Sequence, residues 1–233
     1  MKLKKKKYKK ILSLKKKFNF NEFDLITNYG LFSGDTNLYK TLKIYDLIKN
    51  VENVKGDIIE LGIFQGNLSL LIKKILYIFK IKKKLYLLDH FKGLVTFSAK
   101  DTKESLKFKK KYEGKKNQIK SFLNFYKFRN VKFLDKDATK LVPGFFLKKI
   151  FSLAYFDMDL YEPTYRALLA IEKNIAINGL IVFDQGNKKK WAERYAIKDF
   201  LKNKKNFKKI IINKTYQPDI ILKKIAWLND RIL

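Results

Sequence analysis

The chain has 233 residues, enough for one domain with a sizeable core, and its hydrophobic content of 46% excludes a disordered protein. It has no cysteine, which excludes disulfides, thiolate metal sites and cysteine nucleophiles and fits a reducing cytoplasm. The formal net charge of +31 favours an anionic partner, but only four of the 53 basic residues are arginine, the residue whose planar fork recognises bases and phosphates, and this argues against a nucleic-acid function.

The first 50 residues begin with a lysine-rich arm, MKLKKKKYKK, and continue with short helical patterns. The arm has no uninterrupted apolar stretch, so no signal peptide is predicted. No run in the chain reaches the roughly 18 apolar residues of a membrane-spanning helix. We therefore predict a basic arm and helical cap over residues 1–50, a core over residues 51–233 and a cytoplasmic location, with peripheral contact to the inner face of the membrane as an open alternative.

Short apolar runs alternate with helical patterns from residue 57 onward. The strand candidates are DIIELG (57–62), KLYLLD (84–89), VKFLD (131–135), FSLAYFD (151–157), LIVFD (180–184), FKKIIIN (207–213) and DIILKKI (219–225). The helix candidates are residues 67–80, 163–176 and 192–203. A lysine-rich segment, residues 92–129, separates the second and third strands and is predicted to be a lid-like insertion. This alternation predicts an α/β, Rossmann-like fold with a seven-stranded, mostly parallel sheet and helices on both faces.

Four of the predicted strands, those that contain IIELG, YLLD, AYFD and IVFD, place at their ends the acids considered for a site. These acids are Glu60, Asp89, Asp157 and Asp184. A single acid at this place is most often a helix cap. Because ligands of open parallel sheets bind at the carboxyl ends of the strands, four acids together favour a shared polar site.

The first of these strand ends, ELGIFQGNLS, contains Gly62 and Gly66 in the turn to the next helix. The G-x-x-x-G spacing differs from the G-x-G-x-x-G of dinucleotide folds, which disfavours a pyrophosphate cradle, and an ordinary tight turn remains an alternative. Asp89 ends the second strand, where an acid typically binds ribose hydroxyls. Together they favour S-adenosylmethionine over NAD.

The stretch FDMDLYEP places Asp157 and Asp159 two residues apart after an apolar run. If both continued the strand, their side chains would share one face about 6–7 Å apart. With Asp184 on the next strand they would gather oxygen ligands of the kind that Mg²⁺ prefers. The alternative is that these acids cap the helices that follow.

Five stretches of the sequence resemble those of a known family. GDIIELGIFQGNLSLL, LLDHFKGL, AYFDMDLYEPTYRALL, INGLIVFDQG and AIKDF follow the order and approximate spacing of the macrocin O-methyltransferase family, over roughly residues 50–210. These are class I S-adenosylmethionine-dependent enzymes that methylate sugar hydroxyls. The acid pair together with the LYEPTYRAL that follows it is the specific part of the resemblance, whereas the glycine turn is generic to the fold.

The resemblance implies a role for each matching residue. The residues implied to bind the cofactor are Glu60, Gly62, Gly66, Asp89 and, near the adenine, Asp137. Asp157 and Asp184 are implied to ligate a divalent metal, and Asp159 is implied to be the general base. The family usually has two successive acids after its fifth strand, but here Gln185 follows Asp184. An amide oxygen can ligate Mg²⁺, although one negative charge is lost and the expected metal affinity falls.

The sequence therefore predicts an S-adenosylmethionine-dependent O-methyltransferase that acts, with help from Mg²⁺, on a sugar hydroxyl in a surface glycan or a glycosylated metabolite. The positive charge suggests an anionic acceptor, and the family suggests self-association. The alternative is an inactive methyltransferase-like fold that binds RNA or an anionic membrane through its lysines. An RNA methyltransferase would share the cofactor, but the sequence has few arginines with which to recognise RNA.

Overall fold

The computed structural model describes residues 34–202 and 204–226, together with residues 13, 16–19, 21, 23 and 27. The chain divides into two compact units, residues 1–42 and residues 43–233. Most of the predicted arm and cap lies outside the described residues. Within the described part of the chain, no helix combines the length and the apolar character needed to cross a membrane.

Seven strands and six α-helices follow one another in the described residues. The strands are β1 (Asp57–Leu61), β2 (Leu85–Asp89), β3 (Val131–Asp135), β4 (Phe151–Phe156), β5 (Ile175–Phe183), β6 (Phe207–Ile211) and β7 (Ile220–Lys224). The helices are α1 (Asp35–Asn50), α2 (Asn67–Ile78), α3 (Lys103–Leu106), α4 (Lys116–Phe125), α5 (Tyr161–Ile171) and α6 (Glu193–Leu201). Two 3₁₀ turns lie at Ala138–Lys140 and Glu172–Asn174.

The strands form one sheet in the order β3-β2-β1-β4-β5-β7-β6. The first five strands of this order are parallel, and β7 and β6 complete the sheet with antiparallel pairings. The prediction of a seven-stranded, mostly parallel α/β sheet is confirmed. The order reverses beside β1, so the carboxyl ends of β1 and β4 meet where such folds bind their ligands.

The core lies on both faces of the sheet, as β4 illustrates. All six residues of β4 are buried. Its alternate side chains enter two separate apolar clusters, with Ala154 and Phe156 in one and Leu153 and Tyr155 in the other. A strand covered on both faces has no solvent side, which explains the continuous apolar run FSLAYF.

All three predicted helices are shorter in the structure. The helix predicted over residues 163–176 ends at Ile171, and β5 already begins at Ile175. The pairing of Ile175 with Phe151 extends the strand backwards through an irregular register, and sheet pairing here overrides helix propensity. In segment 92–129, only residues 103–106 and 116–125 are α-helical. The lid role of this segment stays a prediction.

Candidate active site

The glycine turn after β1 packs directly against the loop that carries the acid pair. A Cβ atom at Gly62, whose φ is +86°, would lie 2.1 Å from the backbone oxygen of Asp157. A Cβ atom at Gly66 would lie 2.9 Å from the side chain of Ile119 in α4. Glycine is therefore required at both positions for contacts within the protein, and the first of these contacts brings the predicted cofactor turn beside the acid pair.

Asp89 holds the glycine turn in place. One of its carboxylate oxygens accepts hydrogen bonds from the backbone N–H groups of Ile63 (2.7 Å) and Phe64 (3.3 Å), and the other accepts from the N–H of Phe91 (2.6 Å). Glu60 is buried one residue before the end of β1 and accepts a 2.6 Å hydrogen bond from the hydroxyl of Ser69. Asp89 thus fixes the backbone of the turn, and Glu60 ties the end of β1 to a side chain of α2.

Asp137 caps the 3₁₀ turn after β3, where its carboxylate accepts hydrogen bonds from the backbone N–H (2.9 Å) and the hydroxyl (2.7 Å) of Thr139. It also lines a cavity of about 1010 Å³ whose walls include His90 and Phe91 after β2. The opening lies at the carboxyl ends of two neighbouring strands. It has the place and the polar lining that a nucleoside requires.

The acid pair does not belong to a strand. β4 ends at Phe156, and Asp159 has a φ of +62°, outside the range of any strand. The prediction that Asp157 and Asp159 share a strand face was therefore wrong. The chain turns here because the N–H of Leu160 donates a 2.6 Å hydrogen bond to the backbone oxygen of Met158. Asp159 is buried in this turn, and Asp157 is half-buried.

Glu193 joins the acid loop to the end of β5. One of its carboxylate oxygens accepts from the N–H groups of Met158 (3.1 Å) and Asp159 (3.3 Å), and the other accepts from the N–H of Gln185 (3.3 Å). Its side chain is fully buried, and burial together with the charges of Asp159 and Asp157 holds the pKa of Glu193 well above its ordinary value. No sequence pattern points to Glu193, because an acid in the first turn of a helix ordinarily interacts only with the helix dipole.

Gln185 hydrogen-bonds through both ends of its amide. Its nitrogen donates a 2.9 Å hydrogen bond to Asp159, and its oxygen accepts a 2.6 Å hydrogen bond from the indole N–H of Trp191. The neighbouring Asp184 is buried and accepts a 2.5 Å hydrogen bond from the Tyr155 hydroxyl. In the described residues, no group of three or more His, Cys, Asp and Glu side chains could hold a metal ion. The donor set differs from the predicted Mg²⁺ site, because the Gln185 oxygen expected to bind the metal accepts the hydrogen bond of Trp191.

Segment 92–129 is tied to the core near its start. Asp101 accepts a 2.9 Å hydrogen bond from the N–H of Tyr161, the first residue of α5. The ammonium group of Lys100 lies 2.7 Å from both the Tyr161 hydroxyl and the carboxylate of Asp199 in α6. These contacts hold the segment against the two helices that follow the acid loop and the end of β5.

The order of the mostly parallel sheet and the glycine turn with its strand-end acid are those of the class I methyltransferase fold. The sequence profile of the macrocin-O-methyltransferase (TylF) family matches residues 33–215. The chain belongs to this family, and it is an S-adenosylmethionine-dependent O-methyltransferase. No curated protein sequence matches the chain significantly.

Solved structures of methyltransferases share the fold at low sequence identity. The calicheamicin methyltransferase CalS11 is 18% identical, with a TM-score of 0.78, 94% of this chain covered and 91% of that chain. An apo structure of CalS11, described as a TDP-rhamnose 3'-O-methyltransferase, gives 19% identity, a TM-score of 0.70 and coverage of 94% and 93%. The O-methyltransferase NovP is 18% identical, with a TM-score of 0.68 and 80% of both chains covered.

Proposed function

We propose that the protein transfers the methyl group of S-adenosylmethionine to a hydroxyl group of a sugar, with Asp159 as the general base. The observation that carries the proposal is the contact between the glycine turn and the acid loop at Gly62 and Asp157. The contact supports the proposal because the buried carboxylate of Asp159 follows Asp157 by two residues, and the glycine turn holds the cofactor in folds of this kind. The names of the family and of CalS11 support a sugar acceptor.

The residues of the site orient the reactants and accept one proton. Bound S-adenosylmethionine supplies an electrophilic methyl group on sulfur, and its transfer to the acceptor oxygen leaves S-adenosylhomocysteine. Asp159 takes the proton of the acceptor hydroxyl as the new C–O bond forms. Gln185 keeps one oxygen of Asp159 in place, and Glu193 holds the backbone of the loop. Most of the rate enhancement in a direct displacement of this kind comes from alignment.

The test of the proposal is the substitution Asp159→Asn. The asparagine oxygen can still accept the hydrogen bond of Gln185, so the loop is preserved while the base is lost. We expect methyl transfer to fall by at least about 100-fold, the range that a general base contributes. Calorimetry should give an unchanged affinity for S-adenosylhomocysteine.

Asp46→Asn is the matched control, since Asp46 is an exposed acid in α1 that forms an ion pair with Lys43 and does not line the cavity. Transfer can be measured with methyl-labelled S-adenosylmethionine and a panel of sugars and sugar nucleotides. Full activity of Asp159→Asn would show that another group is the base. Failure of the wild-type protein to bind S-adenosylhomocysteine would overturn the enzyme proposal as a whole.

The finer sequence predictions remain part of this proposal. Twelve basic residues against three acids in segment 92–129 support an anionic acceptor such as a nucleotide-linked or lipid-phosphate-linked sugar. A surface-glycan substrate, a cytoplasmic location and self-association stay predictions. Mg²⁺ assistance also stays a prediction, and no step above depends on it.

A further inference from the structure

We propose that the aromatic side chains of Tyr112 and Phe64 form the wall on which the sugar ring of the acceptor packs, with Tyr112 as the residue that determines acceptor binding. This inference rests on the proposed function, because it places the acceptor between the glycine turn and Asp159. Neither aromatic residue belongs to the site predicted from the sequence.

Tyr112 contacts the glycine turn and lies close enough to the acid loop to be affected by its charge. Its ring meets that of Phe64, which lies inside the glycine turn, edge to face at 5.5 Å between centroids. The pKa of Tyr112 is raised, chiefly by burial and also by the negative charges of Asp159 and Asp157. In the proposed complex, Tyr112 borders the space between methyl donor and base.

The backbone, and not the ring alone, sets the position of Tyr112. The backbone N–H of Leu94 donates a 2.9 Å hydrogen bond to the backbone oxygen of Lys111, and the N–H of Lys110 donates a 2.8 Å hydrogen bond to the oxygen of Leu94. An antiparallel β-bridge joins Lys92 to Glu113. Tyr112 has a φ of +65° and Phe64 a φ of +53°, values that are uncommon for bulky residues. Strained backbone of this kind persists where the surrounding structure imposes it, and it concentrates at functional sites.

The wall continues toward Gln185. Phe108 stacks on Tyr112 with 5.8 Å between centroids, and Trp191 lies 5.2 Å from Phe108. Trp191 donates its indole N–H to Gln185, which in turn bonds Asp159. The aromatic run Phe64, Tyr112, Phe108 and Trp191 therefore extends from the glycine turn to the residues that orient the base.

The open part of the aromatic run suits a sugar. Tyr112 and Phe64 keep 40% and 38% of their surface exposed, whereas Trp191 is buried. A pyranose ring has one largely apolar C–H face and a rim of hydroxyls, so it can cover an aromatic surface while its rim reaches polar groups. An aromatic ring with a hydroxyl tip matches both properties.

The test measures binding of two probes, methyl α-L-rhamnopyranoside and TDP-rhamnose, to the full-length protein saturated with S-adenosylhomocysteine. The probes share the sugar ring and differ in the diphosphate, so their comparison separates ring recognition from attraction to the lysines. We expect at least one to bind and Tyr112→Ala to weaken that binding at least tenfold. Tyr112→Phe, which retains the ring, should stay within threefold of wild type.

Tyr126→Ala is the matched control, because Tyr126 lies in the same segment and is 42% exposed. It should bind sugar like the wild type, and all variants should bind S-adenosylhomocysteine within twofold of the wild type. Three outcomes would overturn the inference. Tyr112→Ala could bind the sugar as tightly as the wild type does, it could lose affinity only for S-adenosylhomocysteine, or the wild type could bind neither probe. In these cases S-adenosylhomocysteine still binds the wild type, and the proposed function survives. If it does not bind the wild type, both proposals fail.

Discussion

Gln185 shows how one side chain can change the chemistry of a site. The resemblance to the family predicted a metal ligand at this position, but the amide oxygen accepts a hydrogen bond from Trp191 and the amide nitrogen donates to Asp159. An aspartate could not make the second contact, because it has no donor when ionised. The glutamine therefore adds no charge beside the acids, and it orients the predicted base.

Replacing Gln185 by Asp should create a dependence on Mg²⁺. The new carboxylate would add a negative charge beside Asp184 and Asp159, and a divalent ion would relieve the repulsion. We expect Mg²⁺ to raise the melting temperature of Gln185→Asp and not that of the wild type, since a ligand that binds only the folded state stabilises it.

The neutral variant Gln185→Asn is the control for side-chain length. It should show no response to Mg²⁺ in the same thermal unfolding experiment. An equal rise in the melting temperature of the wild type would mean that the native site already binds the metal, contrary to the donor set described above.

At the level of elements, the loops after β1 and β4 approach each other more closely than the pairing of the two strands alone requires. Parallel pairing brings Leu61 beside Phe156, and the missing side chain of Gly62 then lets the two loops touch. A glycine with positive φ costs conformational entropy on folding. Here that cost allows a close approach that no other residue would permit.

Gly62→Ala should therefore destabilise the protein and weaken cofactor binding. Gly144 is a matched control, because its φ of +89° is close to the +86° of Gly62 while the space beside it is open. Gly144→Ala should lose about 1–2 kcal/mol from the unfavourable φ alone. Gly62→Ala should lose more, because its Cβ also meets the Asp157 backbone.

Chemical denaturation measures the free energy of unfolding of both variants, and calorimetry measures their affinity for S-adenosylhomocysteine. Only Gly62→Ala should lose affinity, by at least tenfold. Similar stability and affinity in the two variants would mean that the loops move apart easily, and that the contact does not position the site.

The whole molecule carries its charge mostly as lysine. A net charge of +31 attracts any polyanion at low salt, whatever the function of the protein. The methyltransferase fold and family membership account for the site without a nucleic-acid partner. The alternative of an RNA-binding protein nevertheless makes a different prediction for affinity.

We expect single-stranded RNA to bind no more tightly than it binds polylysine of equal charge. Because such binding releases counterions, the affinity should fall steeply between about 50 and about 200 mM salt. Fluorescence anisotropy with a labelled oligonucleotide measures both quantities. Tight RNA binding that persists at the higher salt concentration would favour the RNA-binding alternative.

Local patterns in the sequence were sufficient to predict the strands and the order in which acids follow them. The run VKFLD was predicted as residues 131–135 and forms β3 with the same bounds. A buried strand needs consecutive apolar residues, and this requirement is visible in a short window of sequence. The stretches that resemble the family likewise show Asp157, Asp159 and Asp184 directly in the sequence.

Only the tertiary structure decided how these residues meet. The Glu193 carboxylate accepts hydrogen bonds from backbone N–H groups of the acid loop, more than thirty positions earlier in the chain. Tyr112 is positioned by the pairing of segments 92–94 and 110–113. Such contacts depend on which N–H groups the fold leaves unpaired after its strands end, and no local pattern records that. The sequence determined the chemistry available at the sheet edge, and the long-range packing decided which side chains face it.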